Sequence, residues 1–394
     1  MAEIDKLYRN LSNAIINNGY EYQDTSREVT CTQLSTVNLE IGVLKEFPLL
    51  TTKNMYTKGI VAELIWFLRG DDNISFLVQN GVNIWNKDAY NHYVRIASQN
   101  LDEDANSIYH DNDDGTVRIF TYEEFVHILK SYNREQIGTL FSWEKGNYYI
   151  GDVGRNYGVQ WRDWGSKDYE LQPSDQIENL LDNLKVRPIN RRNIVTAWNP
   201  QELHLTALPA CHWAFEIIPF PLNDLKRIDI SGKDSEELTS LWEASTLNNN
   251  TVATEKLRES LEGVPTMGFL LKWHQRSVDT FLGLPFNIAS YGILGHILDG
   301  LTGYKFMGLI GDLSNVHFYE PHIELVNEQV LRDVDKYPGC KLHFSEKIER
   351  LFMEFREGNI TFDKVLSEFE INDIEFVGYQ SYEPLKGEML APKE

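Results

Sequence analysis

Three cysteines, Cys31, Cys211 and Cys340, are all that 394 residues contain. Three thiols cannot all pair, and none is spaced as a metal ligand, so neither a disulfide framework nor a metal site is expected; a lone reactive thiol stays open. Long apolar runs are missing too, since no stretch reaches the roughly eighteen residues that a membrane-spanning helix needs. The start, Met1-Ala2-Glu3-Ile4-Asp5, lacks the basic and apolar regions of a secretory signal, which points to a cytoplasmic protein with no membrane role. Basic residues are scarce, 37 Lys and Arg against 59 Asp and Glu, for a formal net charge of -22. Wrapping a nucleic acid requires a basic stripe that would have to overcome this field, so no nucleic-acid partner is expected. One small phosphate is different, because a few clustered arginines hold it at contact distance.

With 42% apolar and 24% charged residues the composition is that of an ordinary globular chain. Apolar residues recur at helical spacing from Thr57 to Leu68, ahead of the Arg69-Gly70-Asp71-Asp72 turn, which predicts a helix carrying Glu63. Asn193 to Trp198, Trp213 to Phe220 and Phe269 to Gln275 are rich in apolar, β-branched or aromatic residues and predict strands. Phe286 to Gly300 is almost wholly apolar, as a helix buried at the centre of a domain would be. Two segments differ in composition, the acidic Asn100 to Gly115 and the polar Asn223 to Pro265, and both are taken as insertions, about 94–150 and 222–266. The run Asp111-Asn112-Asp113-Asp114-Gly115 has the wrong register for a calcium loop and is expected to be a solvated one. No internal repeat or low-complexity linker calls for a split, so a single domain over 1–394 is expected.

In Leu208-Pro209-Ala210-Cys211-His212-Trp213 a cysteine follows a proline and opens an apolar strand. Alone this fits a small core residue better than a nucleophile. Arg191-Arg192 and Arg276-Ser277 change the balance, because cations near a thiol favour the thiolate and also bind phosphate. From Arg276 to Tyr291, Arg, Ser, Asp and Asn stand among residues that otherwise look buried, and buried polar groups need partners. A ligand offering a phosphate and a ring edge with donors and acceptors would satisfy them together.

These residues resemble thymidylate synthase and its deoxypyrimidine monophosphate hydroxymethylase relatives. Phe47 to Lys53, Glu63 to Gly70, Tyr157 to Arg162, Asp175-Gln176, Arg191 to Pro200, Leu208 to His212, Gln275 to Tyr291 and His317 to Tyr319 follow in that family's order. They span nearly the whole chain apart from the two insertions. The resemblance implies an α/β (α+β) domain on a large mixed sheet with flanking helices, two copies packing sheet to sheet. It implies Cys211 as the nucleophile toward carbon 6 of a pyrimidine, Glu63 as general acid/base, Tyr157 as the aid to proton removal from carbon 5, and His212 beside the nucleophile. Arg27, Arg191, Arg192, Arg276 and Ser277 would hold the phosphate, Arg191 and Arg192 reaching in from the second subunit of a homodimer. His317 and Tyr319 would take the sugar hydroxyl, Asn287 the ring edge, and Asp279, Trp85 and Ile84 the pterin of methylenetetrahydrofolate, the co-substrate; no metal is implied.

An amide at Asn287 donates to a carbonyl and accepts from a ring N–H, which suits dUMP rather than dCMP. The charged end Leu390-Ala391-Pro392-Lys393-Glu394 differs from the short apolar tail with which synthases close a lid over the folate. Asn156 before Tyr157, Asn86 after Trp85, and Glu28-Val29-Thr30-Cys31 in place of a glycine-rich turn also depart from synthases. These departures favour capture of water and hydroxymethyl-dUMP as product, as in a phage-type dUMP hydroxymethylase. The alternative is a thymidylate synthase making dTMP; an inactive nucleotide-binding relative ranks below both, since Cys211 and Glu63 are present.

Overall fold

The computed structural model describes residues 2–99, 108–111, 117–143, 148–165 and 173–390. Seven strands, numbered in chain order, form one mixed sheet: β1 Tyr20–Asp24, β2 Val29–Gly42, β3 Ile194–Thr196, β4 His212–Pro221, β5 Met267–Gln275, β6 Val278–Asp279 and β7 Lys305–Tyr319. Their order is β1-β2-β7-β5-β4-β3, with β6 also on β7; β5 and β6 run parallel to β7 and the other pairings are antiparallel. The mixed sheet with flanking helices is the fold class that the resemblance implies. Each of the three expected strands is found, within two residues at either end.

Successive strand residues face opposite sides. Phe215, Ile217, Leu271, Trp273, Leu309 and Leu313 are buried on one face, while Glu216, Ile218, Leu270, Lys272, His274, Ile310 and Asp312 stay partly exposed on the other. Each large apolar side chain taken fully out of water adds roughly 1.5–3 kcal/mol, so the first face anchors the fold.

Across the sheet packs α3, Leu284–Thr302, longer by two residues at each end than expected. Pro285 sits in its first turn and Gly303 closes it in the left-handed conformation at φ 71°. Its Gly295 lies against the Phe306 ring, and a Cβ there would come within 2.3 Å of that ring, so helix and sheet approach at a distance only glycine permits. Against α3 lies α1, Thr57–Leu68, with the bounds read from the sequence, and against α1 lies the short α2, Tyr157–Arg162. These three helices bring Glu63 and Tyr157 to the sheet.

Within the polar segment from Asn223 to Pro265, three helices (Asp224–Ile230, Ser235–Leu247, Thr251–Ser260) enclose a small apolar cluster of Ile228, Leu238, Leu257 and Leu261, distinct from the main core. The polar residues that set this segment apart include its caps: Asn223, Asp234 and Asn250 each accept backbone N–H bonds at a helix start. Most of Asn100 to Gly115, including nearly all of the run Asp111 to Gly115 expected to be a solvated loop, lies outside the described residues, as do 391–394 at the end of the chain. Among the described residues no helix is long and apolar enough to cross a membrane, and no group of three or more His, Cys, Asp or Glu is placed to hold a metal ion.

Candidate active site

Cys211 directly precedes β4, where the register with β5 shifts between His212 and Ala214. Such an irregularity re-aims a side chain at a strand end. Two bonds hold the Cys211 backbone: its N–H donates to the Tyr157 hydroxyl at 2.8 Å, and its carbonyl accepts from the Arg276 N–H at 2.9 Å. The Arg276 guanidinium adds two more to the residues just before Cys211, its Nε and Nη2 donating at 2.9 Å each to the carbonyls of Ala210 and Pro209. Arg276 and Ser277 occupy the break between β5 and β6, both of which pair with β7. There Asn315, at φ 53°, donates from Nδ2 to the Arg276 carbonyl at 2.8 Å and fixes the break.

Burial pushes the Cys211 thiol up, and the pull of Arg276 and Arg27 in the other direction is smaller. This corrects the expectation of a thiolate held by nearby cations: within one chain desolvation wins and Cys211 is a thiol.

Glu63 is half-buried, and burial raises its carboxyl to about 7 while the Trp85 indole, donating to Oε1 at 2.7 Å, pulls it back. Tyr157 packs on Phe67 with ring centroids 4.7 Å apart and on Trp85 at 6.2 Å. Burial holds its hydroxyl well above the ordinary phenol range, so it is protonated. His212 stacks on Tyr157 at 4.2 Å, shares a 2.9 Å hydrogen bond with the Tyr291 hydroxyl, and is pushed by burial down to about 3, hence neutral. Asn156, expected to open a path for water, instead accepts from the Tyr157 N–H at 2.9 Å and donates to the Leu208 carbonyl at 2.6 Å, tying α2 to the segment before Cys211.

On the other side, Asn287 Oδ1 accepts from Gln275 Nε2 at 3.1 Å, which orients its amide. His317 donates from Nδ1 to the Asn315 carbonyl at 2.8 Å, so its buried Nε2 is an acceptor, and it has no partner among the described residues. Tyr319 lies beside His317 at 4.7 Å, and the Arg27 guanidinium is 5.7 Å from its ring. Arg27 also pairs with Asp24 at 3.1 Å and donates from Nε to the Leu390 carbonyl at 3.1 Å. Glu28 follows at φ 54°, so a non-glycine residue takes the left-handed conformation where a glycine-rich turn is absent. Asp279 Oδ1 accepts from the N–H groups of Phe281 at 3.0 Å and Leu282 at 2.9 Å, turning the chain toward α3. Ile84 is partly exposed beside buried Trp85.

Arg191 and Arg192 stand apart. Both are exposed ahead of β3, and neither side chain has a hydrogen-bond or ion-pair partner among the described residues. Three residues of the site were given no role from the sequence: Gln275, which orients Asn287; Asn315, which bonds both Arg276 and His317; and Tyr291, the partner of His212. A buried amide beside Arg276 was the signal for Gln275. Asn315 carries none, since a positive φ at asparagine is legible only in three dimensions.

A thiol, a half-buried carboxyl that titrates near neutrality and a protonated phenol thus converge at one end of the sheet, beside an oriented amide and an unpaired imidazole nitrogen. These groups are suited to nucleophilic and acid–base chemistry. The family model for thymidylate synthase matches residues 6–391. The thymidylate synthase of Mesoplasma florum is 29% identical over 385 residues, 98% of this chain and 99% of that protein. Those of Mycoplasma mobile and Corynebacterium aurimucosum are each 30% identical, covering 97% and 98% of this chain and 98% of each relative. The chain belongs to the thymidylate synthase family. The co-substrate of that family is methylenetetrahydrofolate.

Proposed function

We propose that this protein transfers the one-carbon unit of methylenetetrahydrofolate to carbon 5 of dUMP and reduces it to a methyl group, giving dTMP and dihydrofolate. The observation that carries the choice of product is the C-terminal strap: the Leu390 carbonyl accepts from Arg27 and the Glu388 carbonyl from His322 at 2.9 Å. A strap held against a phosphate-binding arginine shields the site from water, which competes with hydride for the methylene intermediate.

In this reading Cys211 adds to carbon 6 of the uracil, and carbon 5 gains the electrons to attack the one-carbon unit. Glu63, half-buried with its carboxyl raised to about 7, moves protons to and from the ring and the folate. Tyr157 assists removal of the carbon 5 proton, and His212 packs against it as a neutral wall. Arg27, Arg276 and Ser277 receive the phosphate. Arg191 and Arg192, exposed and unpaired here, reach the phosphate of a second copy, the two copies meeting through the half-exposed sheet face of Ile218, Leu270 and Ile310. His317 Nε2 and the Tyr319 hydroxyl take the sugar hydroxyl, and the Asn287 amide donates to the uracil carbonyl. Trp85, Ile84 and Asp279 border the pterin. We take residues 1–394 as one catalytic domain with two insertions, working in the cytoplasm.

A second reading keeps hydroxymethyl-dUMP as the product. Asn86 favours it: Oδ1 is buried next to Trp85 without a partner among the described residues, and a water would satisfy it there. Mass analysis of the nucleotide after incubation with dUMP and methylenetetrahydrofolate separates the two, because the products differ by one oxygen. Formation of dTMP in step with dihydrofolate is the expected result. Hydroxymethyl-dUMP with tetrahydrofolate would transfer the assignment to the second reading, and no carbon 5 hydrogen exchange would remove both.

A further inference from the structure

Asp5, in the first turn of the N-terminal helix Glu3–Asn18, is fully buried with no cation bonded to it among the described residues. Its carboxylate takes every donor of two consecutive threonines. The Thr51 N–H reaches both oxygens at 3.1 Å, the Thr52 N–H reaches Oδ1 at 3.0 Å, and the two hydroxyls donate at 2.8 Å each. A buried carboxylate is costly, and this one is kept by neutral donors alone.

What those threonines carry on their other side gives Asp5 its reach. The Thr51 carbonyl accepts from the Tyr382 N–H at 2.8 Å, and the Thr52 carbonyl from Arg332 at 2.7 Å, which also donates to Glu383 at 2.8 Å. The Tyr379 hydroxyl donates to the Leu50 carbonyl at 2.8 Å and accepts from the Met55 N–H at 3.0 Å. Residues 50–55 are therefore the seat of the strap that runs from Tyr379 to Leu390 and ends on Arg27. The Thr52 N–H and the Thr51 carbonyl belong to one planar trans peptide and point in opposite directions. When Asp5 holds that N–H, the carbonyl must face Tyr382; when the peptide turns, both bonds are lost together.

We propose that Asp5 is a positioning residue that holds the 50–55 loop in the one orientation on which the C-terminal strap docks, and so sets closure of the folate side of the site. The link to folate rests on the function proposed above; the link from Asp5 to the strap does not. Asp5→Asn keeps the shape but replaces the Oδ2 acceptor facing the Thr51 N–H and hydroxyl with an N–H₂ donor and removes the charge from Oδ1, which weakens the hold on this peptide. Thr51→Val removes one hydroxyl donor and leaves the backbone bonds, so it remains informative should Asp5→Asn fail to fold.

Amide hydrogen exchange on the free protein is the direct test. In Asp5→Asn, exchange across 379–390 should rise by about tenfold or more, with less of a rise in Thr51→Val, and exchange in Leu284–Thr302 should hold. In turnover assays the KM for methylenetetrahydrofolate should rise about tenfold while the KM for dUMP stays within about twofold. Unchanged strap exchange in both variants would overturn the proposal, and so would a uniform rise over the whole chain, which is what a purely stabilising residue produces. Faster strap exchange in a protein whose parent shows no turnover would uphold the coupling and remove the functional reading instead.

Discussion

The Trp85 indole N–H donates to Glu63 Oε1 at 2.7 Å, from a ring that also packs on Tyr157. One aromatic residue thus touches the Glu63 carboxyl and the Tyr157 phenol together. Burial raises Glu63 to about 7 and the indole opposes it, so the carboxyl is poised near neutral pH, where it both gives and takes a proton at little cost.

The same shift has a price in stability. A carboxyl with its folded pKa near 7 and its unfolded value near 4.5 contributes fully below the lower value and loses that contribution as pH rises through the upper one. Glu63→Gln escapes the loss. Its unfolding free energy should match wild type near pH 4.5 and exceed it by roughly 3 kcal/mol at pH 8. Denaturant unfolding at the two pH values measures the difference; equal stability at pH 8 would mean that Glu63 is not held protonated.

Trp85→Phe removes the donor that lowers the Glu63 pKa and leaves the packing nearly intact. The limb of the kcat profile that reports Glu63 should move to higher pH, with a loss of roughly tenfold in kcat near neutrality. An unmoved profile would show that the indole bond plays no part in tuning the carboxyl.

How far such features can be read without coordinates differs from residue to residue. Thr57–Leu68 is legible to its ends because helical spacing and the following turn agree, and β4 and β5 announce themselves through β-branched and aromatic runs. The two longest strands, Val29–Gly42 and Lys305–Tyr319, were not read. Ser35, Thr36 and Asn38 in one, and Gly308, Gly311 and Asn315 in the other, interrupt the pattern, and it is their mutual pairing along eleven positions that makes them strands. The site residues were legible as ordered motifs, but their states were not. Cys211 looked like a thiolate among cations until burial was weighed, and Asn156 looked like a route for water until both ends of its amide were seen occupied.

Cys211→Ser should abolish turnover and spare the fold. The hydroxyl is far less ionised than a thiol and a poorer nucleophile, while the two backbone bonds at residue 211 do not involve the side chain. Steady-state assays should find less than about 1% of wild-type kcat, with the melting temperature within about 3 °C. Retention of more activity than that would remove Cys211 as the nucleophile.

The last prediction concerns the base. Gln275 donates to Asn287 Oδ1, and the same Nε2 also donates to the Ser277 carbonyl at 3.1 Å, so the Asn287 amide is oriented from a residue that is itself anchored. With Oδ1 committed to Gln275, Nδ2 is the atom offered to the ring, a donor suited to the uracil carbonyl and mismatched to the amino group of cytosine. Asn287→Asp exchanges that donor for an acceptor while keeping the bond from Gln275. The kcat/KM for dUMP should fall roughly 100-fold, and dCMP, which offers a donor at that edge, should gain relative to it. Gln275→Leu releases the amide to rotate, so it should blunt the preference for dUMP without reversing it. Competition between dUMP and dCMP, followed by mass analysis of the products, reads both changes. Equal losses for the two nucleotides in Asn287→Asp would show that Asn287 supports the fold and does not read the ring.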